Sequence, residues 1–167
     1  MIRKVSVPLL CLHVLLWESV GFAIDKPVST ASRKPYVGMR YVGIPNGFRH
    51  LIGQSLEGGF GVTVVESGKD KIAWLGKVVG RRSDGKAEFE VLDVLVFPPL
   101  RRGEEIADIC NNEKRGNRYT IVIGTIKDSS GERRTVNVRH AWQVNLERKK
   151  FEKISTKGIE CIDPGQE

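Results

Sequence analysis

Residues 135–146 carry the cleanest alternation in the chain. Val136, Val138, His140, Trp142, Val144 and Leu146 occupy one parity; Asn137, Arg139, Ala141, Gln143 and Asn145 occupy the other. Successive strand residues point to opposite faces, so a period of two predicts a strand with one buried face. That reading puts Trp142 in the core and Arg139 in solvent. Other β-rich runs punctuate the chain at 60–66, 71–82, 87–97, 104–110, 118–127, 151–154 and 159–162. Turn residues separate them: Ser67-Gly68-Lys69-Asp70, Ser83-Asp84-Gly85, Pro98-Pro99 and Asp128-Ser129-Ser130-Gly131. Asp-Gly between two β-rich runs is a strong hairpin signal. Residues 50–57 are compatible with a short helix ended by Gly58-Gly59. No long amphipathic helix and no regular strand–helix alternation is present. The fold class expected is therefore all-β and mainly antiparallel. It takes the form of a small meander sandwich or barrel with at most one short helix near the N-terminus.

A different pattern occupies residues 1–23. Arg3 and Lys4 precede an apolar run from Val5 to Trp17, and Gly21-Phe22-Ala23 supplies small residues at the positions a signal peptidase reads. Basic, apolar and small-x-small is the order of a secretory signal. The run is shorter than the roughly 20 residues a stable membrane anchor needs. Cleavage after Ala23 is expected, with no stable anchor left behind. A lipid anchor on Cys11 is disfavoured, because Leu10 before it is not small and Cys11 lies inside the apolar run. Residues 24–35 hold Lys, Pro, Ser and Thr and read as an extended tether. Residues 36–167 are then one β-rich domain, periplasmic or secreted.

Export changes the meaning of the cysteines. Without Cys11, Cys110 and Cys161 remain, and two cysteines in an oxidising compartment pair. Closing that loop restricts the unfolded chain by about 4 kcal/mol in the loop-entropy model. No metal site is expected, since there is no C-x-x-C and no His at ligand spacing. No cofactor is expected either: P-loop, H-E-x-x-H and dinucleotide signatures are all missing. The formal charge is +7, from 27 Lys and Arg against 20 Asp and Glu. Outside the cytoplasm that excess suits an anionic envelope component or an acidic protein partner better than nucleic acid.

Two constellations carry candidate chemistry. Asp93 shares strand parity with Phe89, Val91, Leu95 and Phe97, and an acid on an apolar face needs a partner or a bulge. His140 lies on the apolar face of its own strand. A buried Asp93–His140 pair would orient a general base in a small secreted hydrolase, although no nucleophile stands beside it. The other constellation is basic. In a meander, alternate turns share one end of the sheet. That parity gathers Arg81, Arg82, Lys86, Lys114, Arg115, Arg118, Arg148, Lys149 and Lys150 with both cysteines. Asp84, Glu113 and Glu147 dilute the patch, and Arg101 and Arg134 are expected at the opposite end. The leading expectation is a non-enzymatic binding domain of the cell envelope, an inhibitor or assembly factor, with Arg81, Arg82, Arg115, Arg148, Lys149 and Lys150 as the binding residues. The hydrolase is the alternative.

Overall fold

The computed structural model describes residues 35–108, 110–111, 119–129 and 132–163, with the side chains of 111, 126–129, 132–134, 136, 160, 162 and 163 set aside. The expected signal at 1–23 and nearly all of the expected tether lie outside these residues, as does Arg115. The described chain is almost wholly antiparallel β-structure. Its strands are β1 (Arg40–Tyr41), β2 (Arg49–Ser55), β3 (Phe60–Ser67), β4 (Asp70–Arg81), β5 (Ala87–Val96), β6 (Glu104–Ala107), β7 (Cys110–Asn111), β8 (Thr120–Ser129), β9 (Glu132–Asn145), β10 (Lys150–Lys153) and β11 (Glu160–Asp163). The expected short helix at 50–57 is instead β2, which pairs with β3. Leu51 and Ile52 gain more by packing on the core than a short helix holding Gly53 would offer. A single 3-10 turn, Glu57–Gly59, follows it.

Two sheets form. One has the order β1-β5-β4-β3-β2; the other runs β6-β8-β9-β11-β7, with β10 also on β9. Val62, Val64, Ala73, Leu75, Leu95 and Phe97 of the first sheet meet Ile121, Ile123, Trp142 and Val144 of the second. This is the central core. The first sheet is also buried on its other face, where Tyr41, Val65, Ile72, Trp74, Val91, Val94 and Val96 lie under Tyr36, Met39, Ile44 and Phe48. On that face the Phe89 ring spans two neighbouring strands. It lies so close over Gly61 and Gly76 that a Cβ at either position would stand 3.2 or 3.3 Å from a ring carbon. Tyr41 stacks on it. The second sheet has its own outer cluster of Val122, Ala141, Ile159 and Cys161, joined by Ala107, Cys110, Val138 and Ile154.

Bulges redistribute side chains between these clusters. In β9, Ile123 pairs with His140 while Thr125 pairs with Val136, so β9 carries extra residues there. Asn137 has φ 50 within the bulge. The left-handed backbone costs little for Asn and breaks the pleat. Val138 consequently joins the outer cluster while Trp142 and Val144 stay in the central core. Trp142 is buried as expected. However, Ala141 and Gln143 are buried too, so this half of β9 has two covered faces. A second bulge, at Leu92, separates Val91 in one cluster from Leu95 in the other.

The disulfide Cys110–Cys161 is present and joins residues paired on β7 and β11. β6 and β7 stand at opposite ends of the ladder order, yet only Asp108 and Ile109 separate them in the chain. The disulfide ties the β7 edge of this sheet to β11.

Candidate functional site

The expected basic end does not assemble as the meander parity implied. β10 runs antiparallel to β9, with Lys150 opposite Asn145 and Lys153 opposite Trp142. β11 continues in the same direction along the same strand, with Cys161 opposite Thr135 and Asp163 opposite Arg133. No reversal separates the two, so the count of turns is one fewer than the sequence suggested. The cysteines therefore lie toward the β8–β9 hairpin, far along β9 from the Arg148–Lys150 turn. Arg134, expected at the far end from Cys110, pairs with Ile162 beside Cys161.

The β4–β5 turn is also distant. Asp93 meets the start of β10, and it stands six positions along β5 from Ala87, where the turn ends. At about 3.3 Å per residue that is about 20 Å of strand. The basic residues thus fall into separate tips. At the β4–β5 tip, Arg81 donates to the Gly85 carbonyl at 3.0 Å and Lys86 pairs with Asp84 at 3.4 Å. At the β9–β10 tip, Asn145 Oδ1 accepts from the Arg148 amide, and Lys149 adopts φ 52 to close the turn. Glu152 serves Arg148 at 3.2 Å and Lys150 at 3.5 Å and also accepts from Asn145. Those hydrogen bonds, first that from Asn145 and then that from Lys150, hold its carboxyl below the usual range. Lys149 is exposed and has no acidic partner among the described residues.

The Asp93–His140 pair does not form. Asp93 Oδ2 accepts from the Phe151 amide at 2.7 Å. The carboxylate thereby satisfies a backbone donor of β10, which is what a half-buried acid beside a bulge requires. His140 is buried, its ring 5.6 Å from that of Trp142, and its Nε2 lies 2.6 Å from Arg139 Nη1. Arg139 has no acceptor atom and stays charged, so the guanidinium donates and the imidazole accepts.

Arg139 is the residue whose role the sequence concealed. It was expected in solvent, yet its side chain is only 19% exposed and grips Glu104, itself 8% exposed. Nε donates to Oε1 at 2.7 Å, and Nη2 donates to Oε2 at 2.7 Å. Nη2 also reaches the Pro99 carbonyl at 3.0 Å. The Arg101 amide donates to Glu104 Oε2 at 2.8 Å. Hydrogen bonds from Arg139, aided by the Arg101 amide and opposed by burial, pull the Glu104 carboxyl down to about 2. The result is a charged knot. It fastens residues 97–103, the strap between the sheets, onto β6 and β9. Its partners are 35 residues apart in sequence, and the bulge at Asn137 turns Arg139 inward, so periodicity had no trace of it.

A further polar contact lies near the cysteine end. Tyr119 donates to Asp108 Oδ2 at 2.9 Å, and burial first, then the Asp108 charge, pushes its phenol well above the ordinary value. Among the described residues no group of three or more His, Cys, Asp or Glu is arranged to hold a metal ion. Comparisons with protein-family models, with curated proteins and with solved structures find no match to the chain.

Proposed function

We propose that this protein is an exported, non-enzymatic binding domain whose β9–β10 turn takes an anionic group of the cell envelope. The observation that carries the reading is the charge arrangement at that turn. Arg148 and Lys150 share the single Glu152 carboxylate, while exposed Lys149 between them is left without an acid among the described residues. A turn braced from within by Asn145 and Glu152 presents its cations without a large ordering cost. Phosphate and carboxylate groups are the chemistry such a tip recognises. The hydrolase alternative has no comparable support. Asp93 is committed to the Phe151 amide and His140 to a guanidinium, so neither is poised to take a proton from a substrate.

The test is sedimentation with vesicles containing anionic phospholipid against vesicles of neutral lipid. Binding to the anionic vesicles should weaken with salt, because exposed charges are screened over about 8–10 Å. It should fall sharply on combined reversal of Arg148, Lys149 and Lys150 to Glu. The matched reversal of Arg81, Arg82 and Lys86 at the other tip should have less effect. Equal losses from both reversals would make the attraction one of net charge alone. No binding by the unaltered protein would reject the reading.

A further inference from the structure

The charged knot contains a proton-sensitive part. The Arg139–His140 contact exists only while the imidazole is neutral, since Nε2 must offer its lone pair to the Nη1 donor 2.6 Å away. Protonation replaces that bond with two cations in contact. His140 is buried, so water does not screen the clash. The guanidinium that His140 touches is the one holding the Pro99 carbonyl and Glu104. Strain at His140 is therefore delivered to the strap between the two sheets. The aromatic pair behind it, Phe97 and Trp142 with rings 5.5 Å apart, closes the edge of the central core at the same place.

We infer that His140, Arg139 and Glu104 form an acid-released latch, which fastens residues 97–103 to β6 and β9 at neutral pH and frees them when His140 takes a proton. Among the described residues the charged surroundings support that window. Glu104, on β6, is held at about 2 and keeps its charge throughout it. Glu105 lies exposed on the same strand, and Arg101 sits in the strap with its amide on Glu104. On β8, the residues paired near His140 are Ile123 and Thr125, neither of which titrates. From β10 the nearest cation by register is Lys153, opposite Trp142 and exposed. Glu104 Oε1 and Oε2 each take a bond from Arg139, and Oε2 takes a second from the Arg101 amide, so the carboxylate is directed at the guanidinium and the strap.

The sign follows from proton linkage. The latched state binds no proton at His140 and the released state binds one, so latching weakens as pH falls. Below the imidazole's titration, release grows about tenfold per pH unit. The experiment is hydrogen exchange followed by NMR on the purified protein between pH 7.5 and about pH 5, with protection factors corrected for intrinsic rates. Protection of the Arg101 and Glu104 amides should fall about tenfold per unit below the His140 midpoint. His140→Gln retains an acceptor for Arg139 but does not titrate, and His50 remains as an internal control. That variant should hold its protection across the same range. Nitrogen spectra of the unaltered protein should show the Nδ1–H tautomer of His140 at pH 7.5. An Nε2–H tautomer, a pH-independent strap, or the same pH profile in the Gln variant would each overturn the inference. The tautomer measurement decides the matter even if the variant does not fold. Vesicle binding is not involved, so this inference and the proposed function fail separately.

Discussion

Replacing Arg139 by Ala is the most informative single perturbation. A solvent-facing strand residue, as the alternation of 135–146 implied, would cost no more than about 0.5 kcal/mol. The structure gives a different magnitude. The change removes two charge-assisted bonds to Glu104 and one to the Pro99 carbonyl. Breaking a buried ion pair costs about 3–5 kcal/mol, because the remaining charge is stranded. Arg139 is partly exposed, and Glu104 keeps the Arg101 amide, so about 2–3 kcal/mol is expected here. Urea denaturation at pH 7, comparing the unaltered protein with Arg139→Ala, Glu104→Gln and the double variant, measures both the loss and the coupling. The coupling should be about 1.5–3 kcal/mol. Arg139→Lys should recover only part of the loss, because an ammonium cannot make the two-pronged contact. The pH dependence has a definite sign. Glu104 ionises at about 2 in the fold against an ordinary 4.5, so its contribution is complete above about 4.5 and is lost as pH falls from there through 2. A loss below 0.5 kcal/mol for Arg139→Ala, or additive single effects, would refute the account of the knot.

Two other outcomes follow from packing and covalent structure. Trp142→Ala should cost about 3–5 kcal/mol in the same urea assay, since the ring is buried against Phe97 and the central core; a loss under 1 would contradict that placement. Peptide mapping without reductant should recover residues 110 and 161 cross-linked, and Cys110→Ala with Cys161→Ala should lower stability by about 4 kcal/mol, within the range of about 2–5 found for native disulfides of small secreted domains. Free thiols in oxidised protein would count against the assignment.

The class of fold was legible in the residues alone, because its signals are local. Period-two alternation, β-branched runs and Asp-Gly or Ser-Gly turns act over a few residues, and antiparallel β-structure emerged where they lay. The Cys110–Cys161 bond was legible for a different reason: the expectation that Cys11 leaves with a cleaved leader left these two cysteines as each other's expected partner. The path of the chain through space was not legible. Whether residues 154–160 reverse direction or carry on along β9 depends on which strand edge is open, and that is a property of the assembled sheet. The missing reversal divided the expected basic end and carried the cysteines away from it. Bulges at Leu92 and Asn137 were equally hidden. At Leu92 one extra residue flips the side chains beyond it, and at Asn137 the broken pleat sends Val138 to the outer cluster, so both bulges reassigned faces that simple alternation had fixed. Asp93 and Arg139 show the consequence. The sequence marked Asp93 as needing a partner, but only the tertiary structure supplied the Phe151 amide instead of His140. It gave no mark at all to Arg139, whose bonds to Glu104 and the Pro99 carbonyl exist because the fold brings β9 against the distant stretch 99–104 and shields the contact from most of the water that would otherwise compete for it.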